Sequence, residues 1–131
     1  MTKKLLAIIC FAVAIGVAGI FESRYIIRSF GFIEESLATY RENIQKNPEQ
    51  IDTQENIEYM ENLHTEWQKR TKVLKFFVWH TGIKDVEVGL SRITSYSEEN
   101  NYTEAYVELN NLVDYCMHYS EEYRFSIQNV I

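Results

Sequence analysis

Apolar residues recur at alternating spacings of three and four through most of this chain. The clearest run lies between Asp52 and Gly82, where Ile57, Met60, His64, Trp67, Thr71, Leu74 and Val78 mark one stripe. That period puts the stripe on one face of a long helix, as the a/d seam of a packed bundle. The rhythm returns three more times. Ile26, Phe30, Ile33, Leu37, Tyr40 and Ile44 predict a helix over 24–47, and Ile83, Val86, Leu90, Ile93 and Ser97 one over 83–98. Ala105, Leu109, Leu112, Cys116, Tyr119 and Tyr123 predict a fourth over 103–123. The four stripes share a period without repeating one another in sequence.

Local chemistry marks the boundaries. Asn47-Pro48 ends the first amphipathic helix, because the residue before proline is pushed out of the helical region. Gly31 weakens that helix locally, by up to ~1 kcal/mol relative to Ala. Asp52 is expected as N-cap of the second helix, with Glu55 completing a capping box, and Gly82 as the residue just past its end. The charges of this helix are graded from Glu55, Glu58, Glu61 and Glu66 to Lys69, Arg70, Lys72 and Lys75, which complements the helix dipole. Asn100-Asn101 makes the next turn and Thr103 is expected to cap the fourth helix. Ser126 is expected to cap a last short turn, with Phe125 and Val130 as a hydrophobic staple. Short connections between helices of this length imply antiparallel neighbours. The fold class is therefore all-α: an up-down antiparallel four-helix bundle, preceded by an N-terminal transmembrane helix.

That N-terminal segment is apolar on every side. Leu5 to Phe21 holds seventeen residues without a charge. At 1.5 Å per residue it spans roughly 26 Å, a little less than a bilayer core of about 30 Å. Leu5, Leu6, Ile8, Phe11, Val13, Ile15, Val17, Ile20 and Phe21 form the expected anchor surface, and Tyr25-Ile26-Ile27 is expected to extend it. Residues 1–23 are read as the anchor and 24–131 as the bundle, with no linker between them, so that the two form one rod. A cleaved signal peptide is the competing reading, since Gly16-Val17-Ala18 offers a small-residue site. The anchor is preferred because the apolar run continues past that site. Cys10 lies too early, and lacks the preceding small residue, for a lipoprotein cysteine. Lys3, Lys4 and the terminal amine stand against Arg24 and Arg28, a slight bias. The simpler arrangement keeps the short tail inside and the bundle extracytoplasmic, or secreted if the segment is cleaved.

Charge narrows the partners. The net charge is −6, and all 19 acidic residues lie after Phe21. So acidic a bundle argues against nucleic acid, which selects clustered positive charge. At 46% hydrophobic and 14% aromatic, with five Gly and one Pro, the chain has ample core without disulfide, metal or cofactor. Cys10 in the anchor and Cys116 on a bundle seam are not expected to pair.

The descending second helix would return its C-terminal end to the membrane. Lys72, Lys75, Phe76, Trp79 and His80 sit there, basic beside aromatic, as suits a headgroup layer or a membrane partner. Dipole complementation and core packing explain the same residues without a membrane. Catalytic candidates are few. Glu61-Asn-Leu-His64 has the Glu-x-x-His spacing of di-iron bundles, but the second motif is missing at His118. A histidine on a seam is more often a satisfied core residue. Gly-rich phosphate loops, G-x-S-x-G, Cys-x-x-Cys and His-Glu-x-x-His motifs are absent. Asn101-Tyr-Thr103 is a formal glycosylation sequon. Tyr106 and Tyr115 are expected off the seam, as boundary packing or a contact surface.

From Trp67 onward the chain resembles a family of small bacterial membrane-anchored proteins known as domain of unknown function 4363. Trp67, Phe77, His80, Ile83, Val86-Glu87, Leu90, Arg92, Tyr96, Ala105, Glu108-Leu109, Leu112 and the closing Phe125 to Val130 carry the resemblance. It implies location and architecture, not chemistry. On the residues themselves, Arg92 is expected to pair with Glu108 and His80 to cap the second helix.

The expected function is a membrane-anchored accessory or interaction protein, not an enzyme, with an integral membrane partner or a second copy of itself. The seam residues Ile57, Met60, Trp67, Leu74, Leu90, Ile93, Leu109 and Leu112 would hold it together. The alternative is an extracytoplasmic, sensor-like ligand-binding module, with a pocket near His64, Trp67 and Thr71.

Overall fold

The computed structural model describes the backbone of residues 2–78 and 80–130, and the side chains of these residues apart from His80 and 125–130. Among the described residues four helices follow one another: α1 (Thr2–Lys46), α2 (Gln54–Leu74), α3 (His80–Glu98) and α4 (Tyr102–Val130). Helices α1 and α3 each pack against α2 and α4, while the diagonal pairs stay apart. With short connections at alternating ends, this is the up-down ring that the four stripes predict, an all-α bundle.

The first stripe is the best satisfied. Ile26, Phe30, Ile33, Leu37, Tyr40 and Ile44 are all fully buried, as are Leu90, Ile93 and Leu109, with Leu112 nearly so. On α2, Met60, Trp67 and Leu74 are buried, but Ile57 is only half-buried. The connecting segment folds Ile51 fully into the core at that end, and Ile57 is left at the edge. The buried Ser29, Leu63, Val113 and Ser120 lie beside the expected stripes, widening each seam into a face.

Helix α1 runs 45 residues without a break, so the apolar segment and the first bundle helix are one rod. Its apolar half is bare: from Leu5 to Phe21 the large side chains are 47–69% exposed. Ile26 does not extend that bare surface, because it belongs to the bundle core.

Several boundaries differ from the sequence expectation. Thr53, not Asp52, caps α2; its Oγ1 accepts from the Asn56 N–H at 3.2 Å. The buried Ile51 holds the chain so that Asp52 points to solvent. Helix α2 stops at Leu74 rather than Gly82, tightening through Phe76 N–H to Val73 O and Phe77 N–H to Leu74 O. Gly82 lies inside α3, where a Cβ would come within 3.1 Å of the Tyr119 ring; glycine serves close approach of α3 and α4 there, not termination.

Asn101, not Thr103, caps α4, its Oδ1 accepting from Glu104 N–H at 3.2 Å. The turn before it is a Schellman motif: Asn100 has φ 53°, its N–H bonds to Ser97 O, and Asn101 N–H reaches Tyr96 O. Helix α4 continues unbroken to Val130, so Ser126 starts no separate turn. The staple between Phe125 and Val130 lies outside the described residues.

Candidate functional site

The two ends of the bundle differ in what closes them. Away from the apolar helix, Asn100 ties two connections together: its Oδ1 accepts from Ile51 N–H at 2.8 Å, and its Nδ2 donates to Glu49 O at 3.0 Å. Asn56 Nδ2 donates to Ile51 O in the same corner. Nearby, Tyr40 Oη and Ser97 Oγ lie 2.6 Å apart in the core, and Arg41 donates to Asn110 at 2.7 Å.

The end adjoining the apolar helix is built from rings and cations. The Phe30 ring meets Trp67 edge-on at 5.4 Å and stacks on Tyr119 at 4.2 Å. Tyr119 continues to Tyr123 at 5.3 Å. Arg70 donates to Ser29 Oγ at 3.4 Å and holds its guanidinium 4.4 Å over the Phe32 ring. Trp67 Nε1, Ser120 Oγ and Arg70 Nε are buried and make no hydrogen bond.

These contacts fix the register of α2 on α1. Trp67 lies opposite Phe30, and antiparallel helices advance equally in opposite directions. Leu74, seven residues on, is therefore level with Ser23. The turn that follows leaves Phe76 exposed at this near end of the bundle, two residues before the buried Val78. Phe76 is 76% exposed, and Lys75 Nζ stands 5.5 Å from its ring. Of the expected juxtamembrane residues, Lys72, Lys75 and Phe76 thus come together on one exposed corner. Trp79 and the side chain of His80, with its expected capping of α2, lie outside the described residues. Ser29 was not singled out in the sequence, and Arg70 only within the charge gradient of α2; a serine beside a seam aromatic is a signal that could have flagged their contact.

The catalytic candidates lie elsewhere and apart from one another. His64 lies 3.5 Å from Glu87 on α3, not against Glu61, which is exposed. His118 is mid-helix, with Nδ1 2.7 Å from Asp114 O. Among the described residues no three of His, Cys, Asp and Glu gather as a metal site. Trp67 is fully buried, with His64 and Thr71 half-buried beside it on α2. Arg92 approaches Glu108 at 3.9 Å, as expected. Beside that pair a shallow groove of about 310 Å³ runs between α3 and α4. Tyr106 stacks on Tyr102 at 5.7 Å and Tyr115 is half-buried, which makes both boundary packing.

Burial sets the titration of this half of the bundle. It pushes the Cys116 thiol up to about 12, with Glu34 adding to it, and raises Tyr115 to about 12, with Asp85 reinforcing. Tyr119 is raised further, first by burial and then by its hydrogen bond to Tyr123. None of these groups is tuned for chemistry near neutrality.

Length and composition make α1, among the described residues, the one helix able to cross a membrane. The family profile described as "Domain of unknown function (DUF4363)" matches residues 21–130, which is the bundle with the last residue of the bare segment. No curated protein and no solved structure matches the chain.

Proposed function

The chain belongs to the DUF4363 family, and from that premise we propose that it is a membrane-anchored accessory protein which acts by holding a rigid helical bundle against the extracytoplasmic face of a bilayer. One observation carries the reading. The bare apolar segment of α1 passes into the bundle core without a break, so a bilayer gripping residues 5–21 would also fix the height and tilt of the bundle. A flexible linker would tether the bundle; a continuous helix orients it. The extracytoplasmic side rests on Lys3 and Lys4, a slight bias when set against Arg24 and Arg28. Binding rather than catalysis is favoured because His64, His118 and the buried thiol serve packing and local contacts.

The test uses the full chain with a C-terminal tag in cells. Alkaline carbonate should leave it in the membrane pellet, and protease added to intact cells should digest the bundle. Release by carbonate sinks the anchor, and protection until lysis places the bundle inside. Crosslinking before mild detergent extraction then asks for the partner, expected as a stoichiometric integral membrane protein or a second copy.

A further inference from the structure

The charge of the bundle is sorted along its axis. Below the level of Ser29, the part nearest the bare segment, lie Arg24, Arg28, Arg124 and the four cations from Lys69 to Lys75, against only Glu22, Glu121 and Glu122. The remainder of the bundle holds sixteen acidic residues and four basic ones. A chain that is strongly acidic overall thus ends, beside its apolar helix, in a cationic rim. Dipole complementation accounts for Lys72 and Lys75 at the end of α2. It gives no reason for Arg24 and Arg28 in the middle of α1. Nor does it explain why a phenylalanine is left 76% exposed among the lysines at the end of α2.

We propose that this rim, centred on Lys72, Lys75 and Phe76, rests on the anionic phospholipid headgroups of the bilayer that α1 crosses. The reading builds on the anchor proposed above. The occupant follows from three features that coincide at this end of the bundle: the bare apolar segment that leads into it, local positive charge, and an exposed aromatic. Cations gain from the negative surface only within about a Debye length, and a continuous α1 keeps them there. The acidic remainder is repelled by the same surface, so the bundle stands upright on its rim.

The test places a nitroxide label in the full-length protein, in nanodiscs, in a Cys10→Ser background; the remaining Cys116 is buried. Labels at Phe76→Cys, Val107→Cys and Phe11→Cys report the rim, the far half of the bundle and the anchor. With phosphatidylglycerol, the oxygen-to-nickel-chelate accessibility ratio at 76 should exceed that at 107 several-fold. Adding Lys72→Glu and Lys75→Glu, or using neutral phosphatidylcholine alone, should bring it down towards the value at 107. A ratio at 76 equal to that at 107, with the Phe11 label in lipid, overturns this inference, leaves the anchor standing and points to a protein on the rim. Equal immersion in neutral and anionic lipid overturns the assignment to anionic headgroups. A water-accessible label at Phe11 overturns the anchor and this inference together.

Discussion

The far end of the bundle is closed by hydrogen bonds, and the near end by aromatic rings and cations. At the far end Asn100 satisfies the backbone of Glu49 and Ile51 and terminates α3 in a left-handed turn. At the near end Phe30, Trp67 and Tyr119 pack ring on ring, Trp67 Nε1 and Ser120 Oγ make no hydrogen bond, and Phe76 faces outward. A connection that folds a residue such as Ile51 into the core needs the backbone groups it buries paired. A surface set against lipid gains from exposed rings and positive charge instead. The two ends of one ring of helices therefore read as built for different surroundings.

The largest effect is expected where the near end meets the core. Trp67 is fully buried against Phe30, and Trp67→Ala should cost about 3–5 kcal/mol, by lost burial and the cavity left behind. Chemical denaturation of the detergent-solubilised protein measures it. A loss under ~1 kcal/mol would mean that the near end contributes little to the fold.

Asn100→Ala probes the far end. It removes two hydrogen bonds and leaves a non-glycine residue at φ 53°, for about 2 kcal/mol together. Asn100→Gly relieves the backbone conformation but not the bridge, and should recover about half of that. Equal losses in the two variants would show that the bridge alone matters.

How much of this contrast was legible in the sequence depends on the length scale of each signal. The stripe from Ile26 to Ile44 was readable because every member repeats one period and all six residues are buried. Asn100-Asn101 was readable as a turn, but its reach to Glu49 and Ile51 was not, since nothing local reports on a loop far away in sequence. Gly82 misled for a related reason: a helix stop and a close helix contact both favour glycine, and only the position of Tyr119 distinguishes them. The cationic corner was visible as Lys72, Lys75 and Phe76 in series. Its wider rim, with Arg24, Arg28 and Arg124, exists only once three helices are set at one height.

Alkali should act through the near half. The Cys116 thiol ordinarily titrates at 9.0 and is held to about 12 in the fold; Tyr115 moves from 10.0 to about 12. Between pH 9 and 12 the unfolded chain has released protons that the native protein still binds. The stability from these groups is complete below pH 9 and is lost progressively as the pH rises towards 12. Urea midpoints should therefore fall from pH 8 to pH 10, and Cys116→Ala should flatten the early part of that fall, where tyrosine does not yet titrate. An unchanged slope in the variant would assign the loss to the tyrosines.

The smallest effect on stability is expected from the residues that define the rim. Lys72 and Lys75 are exposed, and Lys75 Nζ stands 5.5 Å from the ring of its neighbour Phe76. Replacing both with glutamate in detergent should change the unfolding free energy by no more than about 0.5 kcal/mol, the range of ordinary surface substitutions. Reversing the favourable charge at the end of α2 sets the sign, slightly destabilising. Set against the loss expected for Asn100→Ala, this difference separates polar residues that hold the fold from those that serve its surroundings. A cost near 2 kcal/mol would erase that separation and return the two lysines to a structural role.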